Sequence, residues 1–111
     1  MIIAHRQLLI VEKGKKTPVS IQLEAPRETE SNHWVCNYDI GWPEGTRRFA
    51  GHGKDSVQAI VVAMQMIGAE LYASAYHKNQ SLRAEDQKGG YGFPIANNCR
   101  DLLVGDDKAM F

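Results

Sequence analysis

The residue types that chemistry uses most often cluster between His33 and Asp55. His33 and Cys36 are both zinc-ligand types, and they stand three residues apart. The segment around them alternates apolar and polar residues as a strand does, and positions three apart on a strand point to opposite faces. The pair therefore cannot chelate one ion without a bulge. Further ligands would have to come from His5, His52, His77 or Cys99, which stand at no recognised metal spacing. No metal site and no cofactor is expected.

Cys36 as a nucleophile would need a depressed pKa and a base beside it. Its alternation neighbours are Trp34, Tyr38 and Ile40, which predict an apolar, inert thiol. Asp39 and Glu44 read as solvated carboxylates around a turn, with nothing to fix their separation. The phrase GKDS at Gly53–Ser56 has a phosphate-loop look, but the Walker pattern needs glycine where Arg48 stands and a hydroxyl where Asp55 stands. An acid there repels phosphate, and Asp55 reads instead as a helix cap. No Ser, His and Asp arrangement and no G-x-S-x-G is present. No catalytic residue is assigned. The residues that remain are contact candidates: Trp42, expected to be exposed in a turn beside Pro43, and Arg47 and Arg48 on a short strand. A pocket lined by Tyr38, Tyr72 and His77, between sheet and helix, is the alternative that an enzyme or small-ligand binder would need.

These candidates depend on a helix and the strands before it. Asp55–Asn79 is the one long periodic stretch, opened by Asp55 and by Gln58 three residues later as a capping box. With 100° per residue and Val57 at the centre, Ile60, Val61, Met64, Ile67, Gly68, Leu71 and Ala75 share a core face. Gly68 would let a strand approach closely. Val62, Met66, Ala69 and Ala73 form a second apolar stripe that needs its own cover, either the C-terminal tail or a second molecule.

Before the helix, Ile2–Lys13, Thr17–Ala25, His33–Gly41 and Thr46–Gly51 read as strands. Arg27–His33 reads as a polar loop. The expected fold is α+β: a four-stranded antiparallel meander packed on one long helix, with an irregular tail. All 111 residues form one domain, with the sheet in 1–52, the helix in 55–79, and loop and tail in 80–111.

Thirteen basic and thirteen acidic residues, with a sequence pI near 6.9, give no surplus toward nucleic acid or an anionic membrane. Met1–Arg6 reads as no signal peptide, and no apolar run approaches the ~20 residues of a bilayer span. Two cysteines, Cys36 and Cys99, fit reduced thiols in a cytoplasm.

WVCNYDI (Trp34–Ile40), GKDSVQAI (Gly53–Ile60), MIGAEL (Met66–Leu71) and GFP (Gly92–Pro94) together resemble a family of small bacterial proteins catalogued only as a domain of unknown function. The resemblance runs from about Ala4 to Pro94. It implies a bacterial, cytosolic setting and transfers no catalytic residue. The function expected is that of a non-enzymatic protein-binding module. Its most concrete form is an immunity-type protein that neutralises a toxin domain, and the alternatives are a small-ligand binder or a homodimer joined through the outer helix stripe.

Overall fold

A computed structural model of the chain describes residues 1–85, 89–96 and 102–111. The elements run β1 (Ile2–Glu12), β2 (Lys15–Glu24), β3 (Arg27–Glu30), β4 (His33–Trp42), β5 (Gly45–Gly53), α1 (Ser56–Ala73), α2 (Ala75–Lys78), β6 (Leu82–Arg83) and α3 (Gly105–Met110). The fold is mixed α+β: an antiparallel sheet with α1 across one face. The expected meander is present as β1, β2, β4 and β5.

Two strands were not foreseen. The stretch read as a polar loop pairs Arg27 with Val35 and Glu28 with Trp34, as a short extension beyond Pro26. Its side chains are all exposed, so no apolar alternation marked it. Leu82 and Arg83 pair with Ile10 and Leu9, within what the sequence suggested was a loop. In space the sheet runs β5, β4, β2, β1, β6, with β3 also on β4.

β1, β2 and β4 send alternate residues into one core. Leu8 and Ile10, Val19 and Ile21, Cys36, Tyr38 and Ile40 all lie beneath the helix at 2 % exposure or less. The β1–β2 hairpin turns on Lys13 and Gly14, whose φ angles of 50° and 79° match the two-residue turn that suits strand twist.

The helix starts where expected. Asp55 Oδ1 accepts from Gln58 N–H at 2.8 Å, and Gln58 Oε1 accepts from Lys54 N–H at 2.6 Å. Its buried face is rotated from the expected one. Val57 and Val61 are 68 % and 43 % exposed, whereas Ala59 and Ala63 are fully buried. The reason is in β5: a Cβ on Gly51 would lie 2.3 Å from Ala63 N, and one on Gly53 would lie 2.6 Å from Ala59 N. Helix and strand backbones nearly touch, so the contact selects the smallest side chains and leaves the branched ones outside.

Gly68 does make a close approach, but to the tail and not to a strand: its Cβ would sit 2.1 Å from the Pro94 carbonyl oxygen. The described part of the tail thus docks on the Gly68–Tyr72 flank, away from Val62, Met66, Ala69 and Ala73. Ala75, expected on the core face, is exposed, because α1 ends at Ser74 and a new turn begins. The helix Ser56–Ala73 is long and apolar enough to cross a membrane, at 18 residues and mean hydropathy 1.3, where the sequence suggested no run near that length. Here its Ala59, Ala63, Ile67 and Leu71 cover the sheet.

Candidate functional site: a groove at the Trp42 turn

A concavity of about 880 Å³ lies where the β4–β5 hairpin meets the end of α1, bordered by Trp42, Glu44, Arg47, Glu70, Ala73 and Tyr76 among others. Local sequence explains its shape. Ser74 leaves helical geometry at φ −70° and ψ 152° and caps the short helix that follows. Its hydroxyl donates to the Leu71 carbonyl at 2.7 Å and accepts from His77 N–H at 3.1 Å. This break turns Tyr76 toward the hairpin. There it stacks on Trp42 at 5.5 Å between ring centroids and 19° between planes, and its hydroxyl donates to Glu44 Oε1 at 2.9 Å. That bond and some burial raise the Tyr76 pKa. Trp42 is consequently half-buried and packed against the core, and is not the free turn residue the sequence suggested.

The far wall is an electrostatic clamp. Glu70 reaches down from α1 to the sheet, where Oε2 accepts from the Tyr38 hydroxyl at 3.0 Å and Oε1 accepts from Arg47 Nε. Burial, and then the Glu70 carboxylate, drive the Tyr38 pKa upward, so it stays a donor. Arg47 also lies over the Phe49 ring, 4.4 Å from the centroid. Arg48 borders the groove through its strand, but its guanidinium lies on the opposite face of the sheet. It donates to both Asp39 oxygens at 2.9 and 3.1 Å and to Glu24 Oε2. These partners, Glu24 first, raise its pKa.

Of the residues singled out from sequence, the groove brings together Trp42, Arg47, Arg48 and Ala73. Val62, Met66 and Ala69 continue from Ala73 along the same flank of α1, outside the groove. Glu70 and Tyr76 were missed, and Glu44, expected to be a solvated carboxylate, accepts from Tyr76 in the groove. Glu70 had a readable signal, being the single charge in the eighteen residues of α1.

The pocket proposed for Tyr38, Tyr72 and His77 does not form as one site. Tyr38 is sealed in the core against Glu70, and the space between sheet and helix is filled by Ile67 and Leu71. Tyr72 and His77 belong to the tail side. The Tyr72 hydroxyl donates to Asp107 Oδ2 at 2.8 Å, and Asp107 also accepts from Tyr91 N–H and Gly92 N–H at 2.8 Å each. Burial raises the Tyr72 pKa and pushes that of Tyr91 up to about 12. Tyr91 is therefore the donor to Nδ1 of a neutral His77, whose pKa burial lowers. Asp107, fully buried, is the bolt that holds the tail, in a stretch the sequence suggested was irregular.

Cys36 is a buried free thiol whose pKa burial raises, an inert setting. Cys99 lies outside the described residues. His33 and Cys36 do point apart: His33 Nε2 meets His52 Nδ1 at 3.0 Å on the outer face, while Cys36 donates to the Glu24 carbonyl. Among the described residues no group of three or more His, Cys, Asp or Glu could hold a metal ion.

Fold and groove together define a small two-layer α+β domain with a polar–aromatic cleft at the Trp42 turn. The chain belongs to the family described as Domain of unknown function (DUF6968), whose model matches residues 4–95. No curated protein and no solved structure matches it.

Proposed function

We propose that the protein is a non-enzymatic protein-binding module that takes a segment of another protein into the Trp42 groove. The observation that carries this reading is the pairing inside the groove. Glu44 is bonded to Tyr76, Arg47 and Glu70 to each other, Glu70 to Tyr38, and Ser74 to backbone. A small-molecule site needs polar groups that converge on an absent ligand. Here those groups are already satisfied and instead make rigid walls. What the groove offers is relief, an aromatic ledge and an arginine whose side chain is 54 % exposed, the residue types that dominate binding hot spots.

The immunity-type version, in which this surface covers a bacterial toxin domain, draws support from the small size of the domain and from a rigid surface presenting both charge and aromatic area. Its setting is a reducing cytosol, in keeping with the buried free thiol of Cys36. The competing reading is a small ligand in the same groove, for which the volume is adequate. Affinity capture with the wild type, Trp42→Ala and Arg48→Ala separates them. A protein recovered stoichiometrically with the wild type and Arg48→Ala but lost with Trp42→Ala supports the module. A metabolite whose binding Trp42→Ala abolishes, with no protein recovered, replaces it with the ligand reading.

A further inference from the structure

Among the described residues β5 is an edge strand, with β4 as its one sheet neighbour. Natural sheets protect such edges with brevity, proline, bulges, charges (inward-pointing ones included) or a covering helix or loop. β5 lacks the first three, and its charges are tied down within the chain. It is nine residues long and contains no proline, and its pairing runs without a register shift from Trp42↔Gly45 to Trp34↔Gly53. Its two arginines are engaged within the chain, Arg47 by Glu70 and Arg48 by Asp39 and Glu24, and His52 by His33. On the inner face Phe49 is 46 % exposed. Beside it runs the flank of α1 that carries Val62, Met66, Ala69 and Ala73, placed over this edge because Ala59 and Ala63 sit on Gly53 and Gly51. The described tail lies on the other flank.

We propose that this edge pairs antiparallel with the same edge of a second copy, with Phe49 opposite the partner's Phe49, so that two sheets become one. The register follows from the sequence of β5. A two-fold antiparallel pairing sets each residue against its own mirror position. Centred on Arg47 or Arg48, it would oppose two guanidinium groups, which is unfavourable. Centred on Phe49, it sets Arg47 against the partner's Gly51, Arg48 against the partner's Ala50 and Thr46 against the partner's His52. An aromatic pair then occupies the middle of the inner face. Just beyond the strand, Glu44 comes opposite the partner's Lys54, a favourable charge pair repeated at both ends.

The helices run antiparallel above the paired strands, so the small Ala69 and Ala73 meet the partner's Val62 and Met66. Nine residues at about 3.3 Å give a strip roughly 30 Å long. With strand edge and helix flank together about 20 Å deep, the area is on the order of 600 Å² per copy, the lower end of a stable interface. The pairing extends the β5 wall of the Trp42 groove with the partner's Gly51–Lys54. It stands beside the groove reading without needing it, since capture through Trp42 can fail while self-pairing persists.

The test is sedimentation of the full chain together with site-directed cross-linking. The wild type is expected to sediment as a dimer. Phe49→Glu, at a half-exposed position, is expected to weaken dimerisation roughly ten-fold or more with an unchanged circular dichroism spectrum. In a Cys99→Ala background, Phe49→Cys is expected to yield a covalent dimer with a short bismaleimide, while Arg47→Cys yields far less. A wild type that stays monomeric at its highest soluble concentration overturns the proposal. So does a dimer unaffected by Phe49→Glu, or cross-linking stronger at Arg47→Cys than at Phe49→Cys.

Discussion

Gly51→Ala tests the rotated helix face directly. The added Cβ would lie 2.3 Å from Ala63 N and 2.7 Å from both Ala63 Cα and Ala59 O, all backbone atoms of a helix seated on its strand. Ordinary contact begins near 3.4 Å, so strand and helix must separate by about 1 Å over this crossing. A gap of that size forfeits a quarter to a half of each contact's dispersion energy. Over the few dozen contacts of Ala59, Ala63 and their neighbours that amounts to roughly 2 to 3 kcal/mol, and replacing glycine in a strand recovers about 0.5 kcal/mol. The net loss expected is about 2 kcal/mol, a fall in Tm of about 9 °C for a domain of this size. Urea unfolding and calorimetry would measure it. Gly41→Ala is the comparison, because its Cβ would come no nearer than 3.4 Å to the Ser20 carbonyl, and it is expected to be near neutral. A Gly51→Ala protein as stable as the wild type would refute the helix position, and with it the placement of the outer stripe over the β5 edge.

Three further changes probe the clamp and the tail. Glu70→Ala leaves the buried Tyr38 hydroxyl without its acceptor and should lower stability by about 1–3 kcal/mol. Arg47→Ala, which removes only the half-exposed partner, should cost under about 1 kcal/mol, and equal losses in denaturant titrations would contradict this division. Asp107→Ala strips the acceptor from Tyr72 and from the Tyr91 and Gly92 amides. A loss of about 2–4 kcal/mol is expected, with faster amide exchange at Tyr91 and Gly92, and unchanged exchange there would sink the bolt. His77 has a folded-state pKa below its ordinary 6.5. Its contribution is fully present above pH 6.5 and is lost as pH falls through the lowered folded value, because the unfolded chain binds the proton more readily. The urea midpoint should therefore fall in that window for the wild type and fall less for His77→Gln, and parallel pH curves would show that His77 is not responsible.

The sheet was legible because β2 and β4 alternate apolar and polar residues over much of their length and β1 carries the apolar run Leu8–Val11. β3 was not, because RETE has no apolar residue to place, and its pairing is dictated by the hairpin with β4. The helix existed in the sequence, but its orientation was misread through bulk. Val57 and Val61 look like core and Ala59 and Gly51 look like filler, yet close backbone packing reverses that ranking. Trp42, Arg47 and Arg48 were singled out by residue type. That Arg47 and Arg48 serve opposite faces follows from strand alternation, but their acids, Glu70, Asp39 and Glu24, come from distant parts of the chain. The Trp42–Tyr76 stack depends on the break at Ser74, which a continuous Asp55–Asn79 helix concealed. Asp107 was illegible for a related reason: its partners lie sixteen and thirty-five residues away, at Tyr91 and Tyr72, and no local pattern announces a buried carboxylate.

The most direct test of the groove is paired affinity capture from native lysate with the wild type, Trp42→Ala and Arg48→Ala, read by quantitative mass spectrometry. The account predicts a protein other than this chain, near one-to-one with the wild type and with Arg48→Ala, and absent with Trp42→Ala. Equal recovery of that protein with Trp42→Ala, or its loss only with Arg48→Ala, would place binding elsewhere on the molecule and contradict the groove.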